Sequence, residues 1–282
     1  MHHEYLEAYD RQLRTDAEVT DAVSVTRHGP LRLATFSGGR GFVTYADLGG
    51  ADADGIAELV ETAVQHFRGR TDVDEVEWKS RGHDHAPGLH DSLIAHGFAP
   101  DEPESIMIGE AELLARAVEV PAGVDVRRAR TEADVLAAGE IQGLVFDDAG
   151  WRARAEALIE RLRTDEAVEL WIAVADGAVV SAGRLEPVAG TAFAGLWGGS
   201  TVPEWRGRGV YRALTAERAR SAMARGIRYL QSDSTEFSRP ILERSGLVKV
   251  STTTPYVWTR PSDRSGPRSA ERSDSAGVAL IF

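Results

Sequence analysis

The sequence predicts an α/β (α+β) fold built from two related halves, and two observations carry that expectation. Short apolar runs rich in Val, Leu and aromatic residues alternate with longer segments whose apolar residues recur at helical spacing. In addition, "EVEWKSRGHDHAPGLHDSLIAHGF" (75–98) and "RYLQSDSTEFSRPILERSGL" (228–247) follow one pattern. Each runs strand, polar loop, short helix, glycine, apolar residue, and each is followed by another strand, as a diverged internal repeat would be. The chain of 282 residues is long enough for two ordinary domains, and an apolar fraction of 43% supports a core in each. The expected division is a first domain over 1–120, a second over 124–260 and a flexible tail over 261–282.

The elements follow in order. Residues 4–18 predict an opening helix. "AVSVTRHGPLRLATFS" (22–37) and "GFVTYADL" (41–48) read as strands around the turn "GGRG" (38–41). "DADGIAELVETAVQHFRGR" (52–70) starts on an Asp cap and carries Ile56, Leu59, Val60, Ala63 and Val64 at helical spacing. A strand at 74–79, a short helix ending at Gly97 and a strand over 104–113 complete the first half. In the second, "TEADVLAAGEIQGLVF" (131–146) begins on a Thr cap, and 147–163 is a further helix. "ELWIAVADGAVVSAGRLEPV" (169–188) is a hairpin turning at Asp176-Gly177. Then come a glycine-rich strand (191–202), an alanine-rich helix (210–225) stopped by Gly226, a strand (227–234), a short helix (238–247) and a final strand (248–259). Residues 261–275, rich in Ser, Arg and Asp, read as disordered, and the apolar "GVALIF" follows.

Composition excludes several classes. There are no cysteines, so disulfides, thiolate metal sites and cysteine nucleophiles are out, and a reducing, cytoplasmic setting is expected. No apolar run approaches the roughly 18 residues of a membrane span. The polar start "MHHEYLEAYDRQ" is not a secretory signal. A net charge of -12 argues against broad nucleic-acid binding.

Against that acidic background, "TVPEWRGRGVYRAL" (201–214) stands out, because two arginines and two glycines alternate where a strand gives way to a helix. The first N–H groups of a helix lack internal partners and its dipole favours anions. Glycine lets such backbone approach a phosphate, and arginine adds charge-assisted contacts. The stretch therefore predicts a phosphate or pyrophosphate site, with a solvated turn as the other reading. It is neither a Walker A loop nor a complete dinucleotide fingerprint.

Arg206-Gly207-Arg208-Gly209-Val210 resembles the acetyl-CoA loop of the GCN5-related N-acetyltransferases (GNAT), whose pattern is [RQ]-x-x-G-x-[GA]. Arg206 and Gly209 match, whereas Tyr211 stands where Gly or Ala is usual. The order of elements over 168–259 and the spacing from Arg206 to Gly246 also resemble the family. The resemblance implies a mixed, mostly antiparallel GNAT sheet flanked by helices, in two GNAT-like halves. It implies acetyl-CoA, or another acyl-CoA, with pyrophosphate on the amides from Arg206 through Gly207, Arg208, Gly209 and Val210 to Tyr211. Pantetheine would pair with Thr201 and Val202, and Ser238 would contact the cofactor from the following helix. Gly198 and Gly199 are the expected bulge that splays the strand. The first half, with only "GGADA" between its strand and helix, looks like a degenerate copy without the pyrophosphate loop.

Acyl transfer to an amine needs a neutral nucleophile, a stabilised oxyanion and a proton for the leaving thiolate. A backbone N–H near Val202 is the expected oxyanion donor. The family's usual acid, a tyrosine, is replaced here by Leu242. Tyr256 is the substitute acid, or a strand aromatic. Glu204 and Asp233 are candidate bases, or a turn carboxylate and a helix cap. Asp147 and Asp148 suit either an ammonium group or helix capping, and the carboxylate of Phe282 is a further candidate base. His83, Asp84, His85 and His90 suggest a metal less well than a solvated loop, and "TRHGP" (26–30) fits a strand. The expected activity is N-acetylation of a small-molecule amine, in a cleft roofed by the two halves. A non-catalytic acyl-CoA-binding module and a protein N-acetyltransferase are the alternatives. The partners expected are that amine and, from the resemblance, a second copy of the chain as homodimer, with no membrane.

Overall fold

The computed structural model describes residues 2–116 and 118–261. In chain order the elements are α1 (His2–Gln12), β1 (Ser24–His28), β2 (Leu31–Phe36), β3 (Arg40–Thr44), α2 (Ala53–Arg68), β4 (Glu75–Arg81), α3 (Leu89–Ala95), β5 (Ala99–Pro100), β6 (Glu104–Glu110), α4 (Ala111–Leu114), β7 (Val124–Arg128), α5 (Glu132–Phe146) and α6 (Trp151–Thr164). They continue with β8 (Glu169–Ala175), β9 (Ala178–Pro187), β10 (Phe193–Thr201), α7 (Val210–Ala224), β11 (Tyr229–Ser234), α8 (Arg239–Ser245) and β12 (Val248–Thr259). Contacts divide them into two compact units, residues 2–106 with 250–261, and residues 107–249. The fold is mixed α/β, mostly antiparallel, with helices flanking the strands.

In the first unit, β1, β2 and β3 form an antiparallel meander, and β3 pairs parallel with β4 through the crossover helix α2. The Asp52 side chain caps α2 by accepting the Gly55 N–H at 3.0 Å. Ile56, Val60, Val64 and Phe67 of α2 are buried with Leu33, Val43, Trp78 and Trp258. Gly41 answers to that packing, since a Cβ there would lie 2.7 Å from the Phe67 ring.

The last strand departs from expectation. The domain read as 124–260 took in β12, but residues 250–261 belong by contacts with the first unit. The cause is pairing and burial together. β12 runs antiparallel to β4 from Thr253 opposite Arg81 to Thr259 opposite Glu75, and Tyr256 and Trp258 enter that unit's core. Arg260 then donates to the carbonyls of Val73 (2.9 Å), Phe67 (3.1 Å) and Arg70, fastening the strand end to the C-terminus of α2.

In the second unit, β7, β8, β9 and β10 are antiparallel, and β10 pairs parallel with β11 through α7. The hairpin turns at Asp176 (φ 50°) and Gly177 (φ 79°), as its sequence predicts. β7 is a strand the sequence reading did not name, because "VDVRR" carries too few apolar residues to stand out. One sheet face is covered by α5 and α6, where Val135, Ala138, Ile141 and Ile159 meet Leu170, Ile172 and Ala182. The other is covered by α7, where Ala219 and Ala222 meet Leu185, Ala194 and Leu230. Met107 enters this second cluster, and the Ala111 N–H donates to the Arg228 carbonyl at 2.8 Å.

Two local arrangements hold α5. Thr131 and Asp134 form a reciprocal capping box, and the Asp134 carboxylate also takes both terminal nitrogens of Arg127, at 3.0 and 2.8 Å. The Arg127 hydrogen bonds hold the Asp134 carboxyl far below the usual carboxylate range, against some desolvation. Further along, a Cβ at Gly143 would lie 2.6 Å from the Trp151 indole, so α5 and α6 approach as closely as glycine allows.

These arrangements give two expected outcomes. A depressed folded-state pKa stabilises fully above the unfolded value, near pH 4, and the contribution is lost as pH falls through the depressed one. Asp134→Asn should therefore cost about 1–3 kcal/mol at neutral pH, and urea titrations should show the parent–variant gap narrowing below about pH 4. Glycine to alanine inside a helix ordinarily gains up to about 1 kcal/mol. Gly143→Ala should instead lose about 1–3 kcal/mol through overpacking, and a gain in the same titration would refute the close approach.

Candidate active site

The site begins with a strand that cannot stay paired. β10 and β11 are in register only from Phe193 opposite Tyr229 to Gly195 opposite Gln231, although β10 runs on to Thr201 and β11 to Ser234. On its other side β10 keeps its partner β9, with a register shift between Trp197 and Ser200. Gly198 sits in the shift at φ 58°, and its carbonyl accepts from Gln142 Nε2 at 2.6 Å. This is the bulge expected at Gly198 and Gly199. Gly199 is needed for space, because a Cβ there would meet the Tyr211 hydroxyl at 2.4 Å. The Ser200 hydroxyl and the Gln231 side-chain carbonyl are buried here without a hydrogen-bond partner among the described residues.

The loop continues the opened strand. A 3-10 turn, Pro203–Trp205, is closed by the Trp205 N–H on the Val202 carbonyl (3.0 Å). Arg206 Nε donates to the Thr201 carbonyl at 3.0 Å, and the Arg208 guanidinium lies over the Trp205 ring at 4.8 Å. Gly207 and Gly209 take φ values of 73° and 87°, with no atom within 4 Å of where a Cβ would be. Here glycine serves conformation alone. Gly209 is the N-cap of α7 and brings no side-chain cap, and the first helical bond inside it runs from the Ala213 N–H to the Gly209 carbonyl. The first amides of this 15-residue helix have no side-chain cap and lie beside two exposed arginines.

Beneath the loop lies a charge that sequence reasoning missed. Arg218 of α7 is fully buried. Its guanidinium donates to the Arg184 carbonyl and to the Thr215 hydroxyl, each at 3.1 Å, and lies 5.5 Å from the centre of the Tyr211 ring. Gly183 makes the room, since a Cβ there would come within 2.6 Å of Arg218 Nη1. No carboxylate pairs with Arg218 among the described residues. The signal was present in the sequence, because Tyr211, Thr215 and Arg218 recur at helical spacing.

With that geometry in place, known proteins give a consistent answer. Residues 112–232 match the model of the acetyltransferase (GNAT) domain. Over that stretch the chain is similar to the GNAT domain. No curated protein matches the chain. Among solved structures, a GCN5-related N-acetyltransferase from Kribbella flavida is similar at TM-score 0.60 and 17% identity, over 91% of this chain and 93% of that one. Another, from Sphaerobacter thermophilus, gives 0.61 and 17%, over 82% and 78%. A tandem GNAT protein of the clavulanic acid biosynthesis pathway gives 0.59 and 17%, over 83% and 79%. At such identities the likeness is one of fold.

The second unit brings Thr201, Val202 and the stretch Arg206–Tyr211 together around the opened strand. The oxyanion donor is expected near Val202, and the Val202 N–H itself donates to the Val180 carbonyl at 3.0 Å. Ser238 precedes α8, its hydroxyl bonded within the turn to Thr235. Leu242, at the position of the family's tyrosine, is 2% exposed in the core with Leu230 and Leu247. Glu204 is exposed in the 3-10 turn, and Asp233 is buried on β11. Tyr256 belongs to the other unit, where its hydroxyl is 3.0 Å from His90 Nδ1 and burial raises its pKa. Asp147 ends α5 in a left-handed conformation, and Asp148 binds the Gly150 N–H and Arg154, so both serve local structure. His83 contacts Asp10, Arg14 and Ser251, and no cluster among the described residues is arranged for a metal. The carboxylate of Phe282, like the rest of the tail, lies outside the described residues. No described helix is long and apolar enough to cross a membrane.

Because only φ constrains Gly207, its replacement should depend on side-chain type. Gly207→Asn should be nearly neutral, whereas Gly207→Val should cost about 1–3 kcal/mol. Equal thermal midpoints for the two variants would remove the conformational argument.

Proposed function

We propose that the protein is an acetyl-CoA-dependent N-acetyltransferase acting on the amine of a small molecule. The observation that carries the reading is the start of α7, whose first amides have no capping side chain and stand behind two left-handed glycines and two arginines. The residues fit a pyrophosphate chemically, since N–H donors, a helix dipole and two guanidinium groups belong to one short loop. The first unit supplies the contrast. Its crossover helix α2 has the same place between parallel strands, but the Asp52 carboxylate already occupies its N-terminus. This supports a first half that is a degenerate copy without a cofactor site.

Bound acetyl-CoA supplies the acetyl group as a thioester and takes back a proton as the free thiol. The chain provides the setting. Arg206 through Tyr211 hold the phosphates, and the unpaired stretch of β10 offers backbone for the pantetheine arm. Because Val202 points its N–H at β9, alternation turns the Thr201 N–H to the open edge, and we assign that amide the oxyanion role. The Ser200 carbonyl, which shares a peptide plane with that N–H, accepts from the Ser181 hydroxyl at 2.6 Å and so fixes its orientation. Asp233, on the facing strand, and Glu204, in the loop, are the proposed bases for the amine. The core position of Leu242 favours a second reading, a module that binds acyl-CoA without turning it over.

Calorimetric titration with acetyl-CoA separates these. The parent should bind saturably, and an Arg206→Ala, Gly209→Trp variant should lose at least about tenfold in affinity, or 1.4 kcal/mol. Release of free thiol with a panel of small amines should follow binding. Binding without thiol release would support the module, and no binding by the folded parent would overturn both readings.

A further inference from the structure

At the far end of the second unit's sheet lies a cavity that the proposed reaction does not use. The loop lies at the N-terminus of α7, and the cavity opens beside Arg225, just past its C-terminus. A helix of 15 residues separates the two by about 22 Å. The cavity, open to solvent on one side, is lined by the end of β7, the start of β8, and helices α5 and α6, with a volume of about 620 Å³. That is the size of a small-molecule site.

Its lining is of two kinds. Val135, Ile159, Leu162 and Leu170 give it an apolar floor. Around them stand four arginines, Arg128, Arg130, Arg163 and Arg225, against two lining carboxylates, Glu132 and Glu166. Arg163 is held by Glu132 and Glu160. Just below, the buried Glu169 binds Arg225 at 2.6 Å and lies 3.6 Å from Arg128, so one carboxylate serves two guanidiniums. Glu169 is further saturated by the Ser221 hydroxyl and the Trp171 indole N–H. Arg130 has no side-chain partner among the described residues. The helix end of α5 is not the attraction here, because Thr131 and Asp134 already occupy its first amides. The four arginines and the carboxylates of Glu132, Glu160, Glu166 and Glu169 balance in number, and what remains is the unpartnered guanidinium of Arg130 beside an apolar floor.

We propose that this cavity binds a small organic anion, a carboxylate carried on an apolar body. The carboxylate lies between Arg130 and Arg128, and the body covers Val135, Ile159 and Leu162. One guanidinium without a partner, that of Arg130, fits a monoanion, and the apolar floor disfavours a bare inorganic ion, which would leave it wet.

The test is calorimetry on the full chain with octanoate, octanamide and inorganic phosphate as probes. Octanoate should bind saturably and at least about tenfold more tightly than either of the others. Arg130→Glu, at an exposed position, should weaken octanoate by about tenfold or more while leaving the thermal midpoint and acetyl-CoA titration unchanged. Equal binding of octanoate and octanamide would overturn the proposal, as would phosphate binding as tightly as octanoate. So would full octanoate affinity in Arg130→Glu, or no saturable binding in the parent.

Discussion

Two parallel strands joined by a helix oblige that helix to present its first amides beyond the strand ends, and the second unit exploits this geometry fully. The β10–β11 pair breaks after Gly195, so an open strand edge lies next to those amides. The bulge at Gly198, the space at Gly199, the left-handed glycines and the Arg206 contact with Thr201 all serve the same break. Even the buried Arg218 belongs to it, since its guanidinium underlies Tyr211, whose hydroxyl fills the bulge. In the first unit the same topology is closed by a single aspartate, Asp52. One helix is thus capped by its own side chain, and the other has no side-chain cap.

How far the sequence reveals this depends on whether a feature is local. Glycine at a left-handed position, a Thr or Asp cap and an Asp-Gly turn are properties of a few adjacent residues, and they were legible. The bulge was legible for the same reason. The Val202 amide was not, because its engagement depends on the pairing with Val180 across a hairpin. Arg218 escaped notice because an arginine on an alanine-rich helix is ordinarily taken for solvent-facing, and only Gly183, on another strand, makes room for it. The cavity near Arg130 draws on β7, β8, α5 and α6, which no sequence window contains. Its ion pairs were equally hidden, since Glu169 and Arg225 are far apart in the chain.

β12 shows the limit most plainly. Its period-two pattern identifies a strand, but no pattern names the neighbour. The burial of Tyr256 and Trp258, and the clasp of Arg260 on α2, place it in the first unit.

That placement bears on how the chain is made. A ribosome completes residues 107–249 before it reaches the strand that β4 requires. The unit that begins first is therefore finished last, and its nascent sheet waits with the β4 edge uncovered while the second unit has all its own residues. Such an edge is a place for misplaced strand pairing. Synthesis that stalls short of residue 250 would release a complete second unit attached to an incomplete first one.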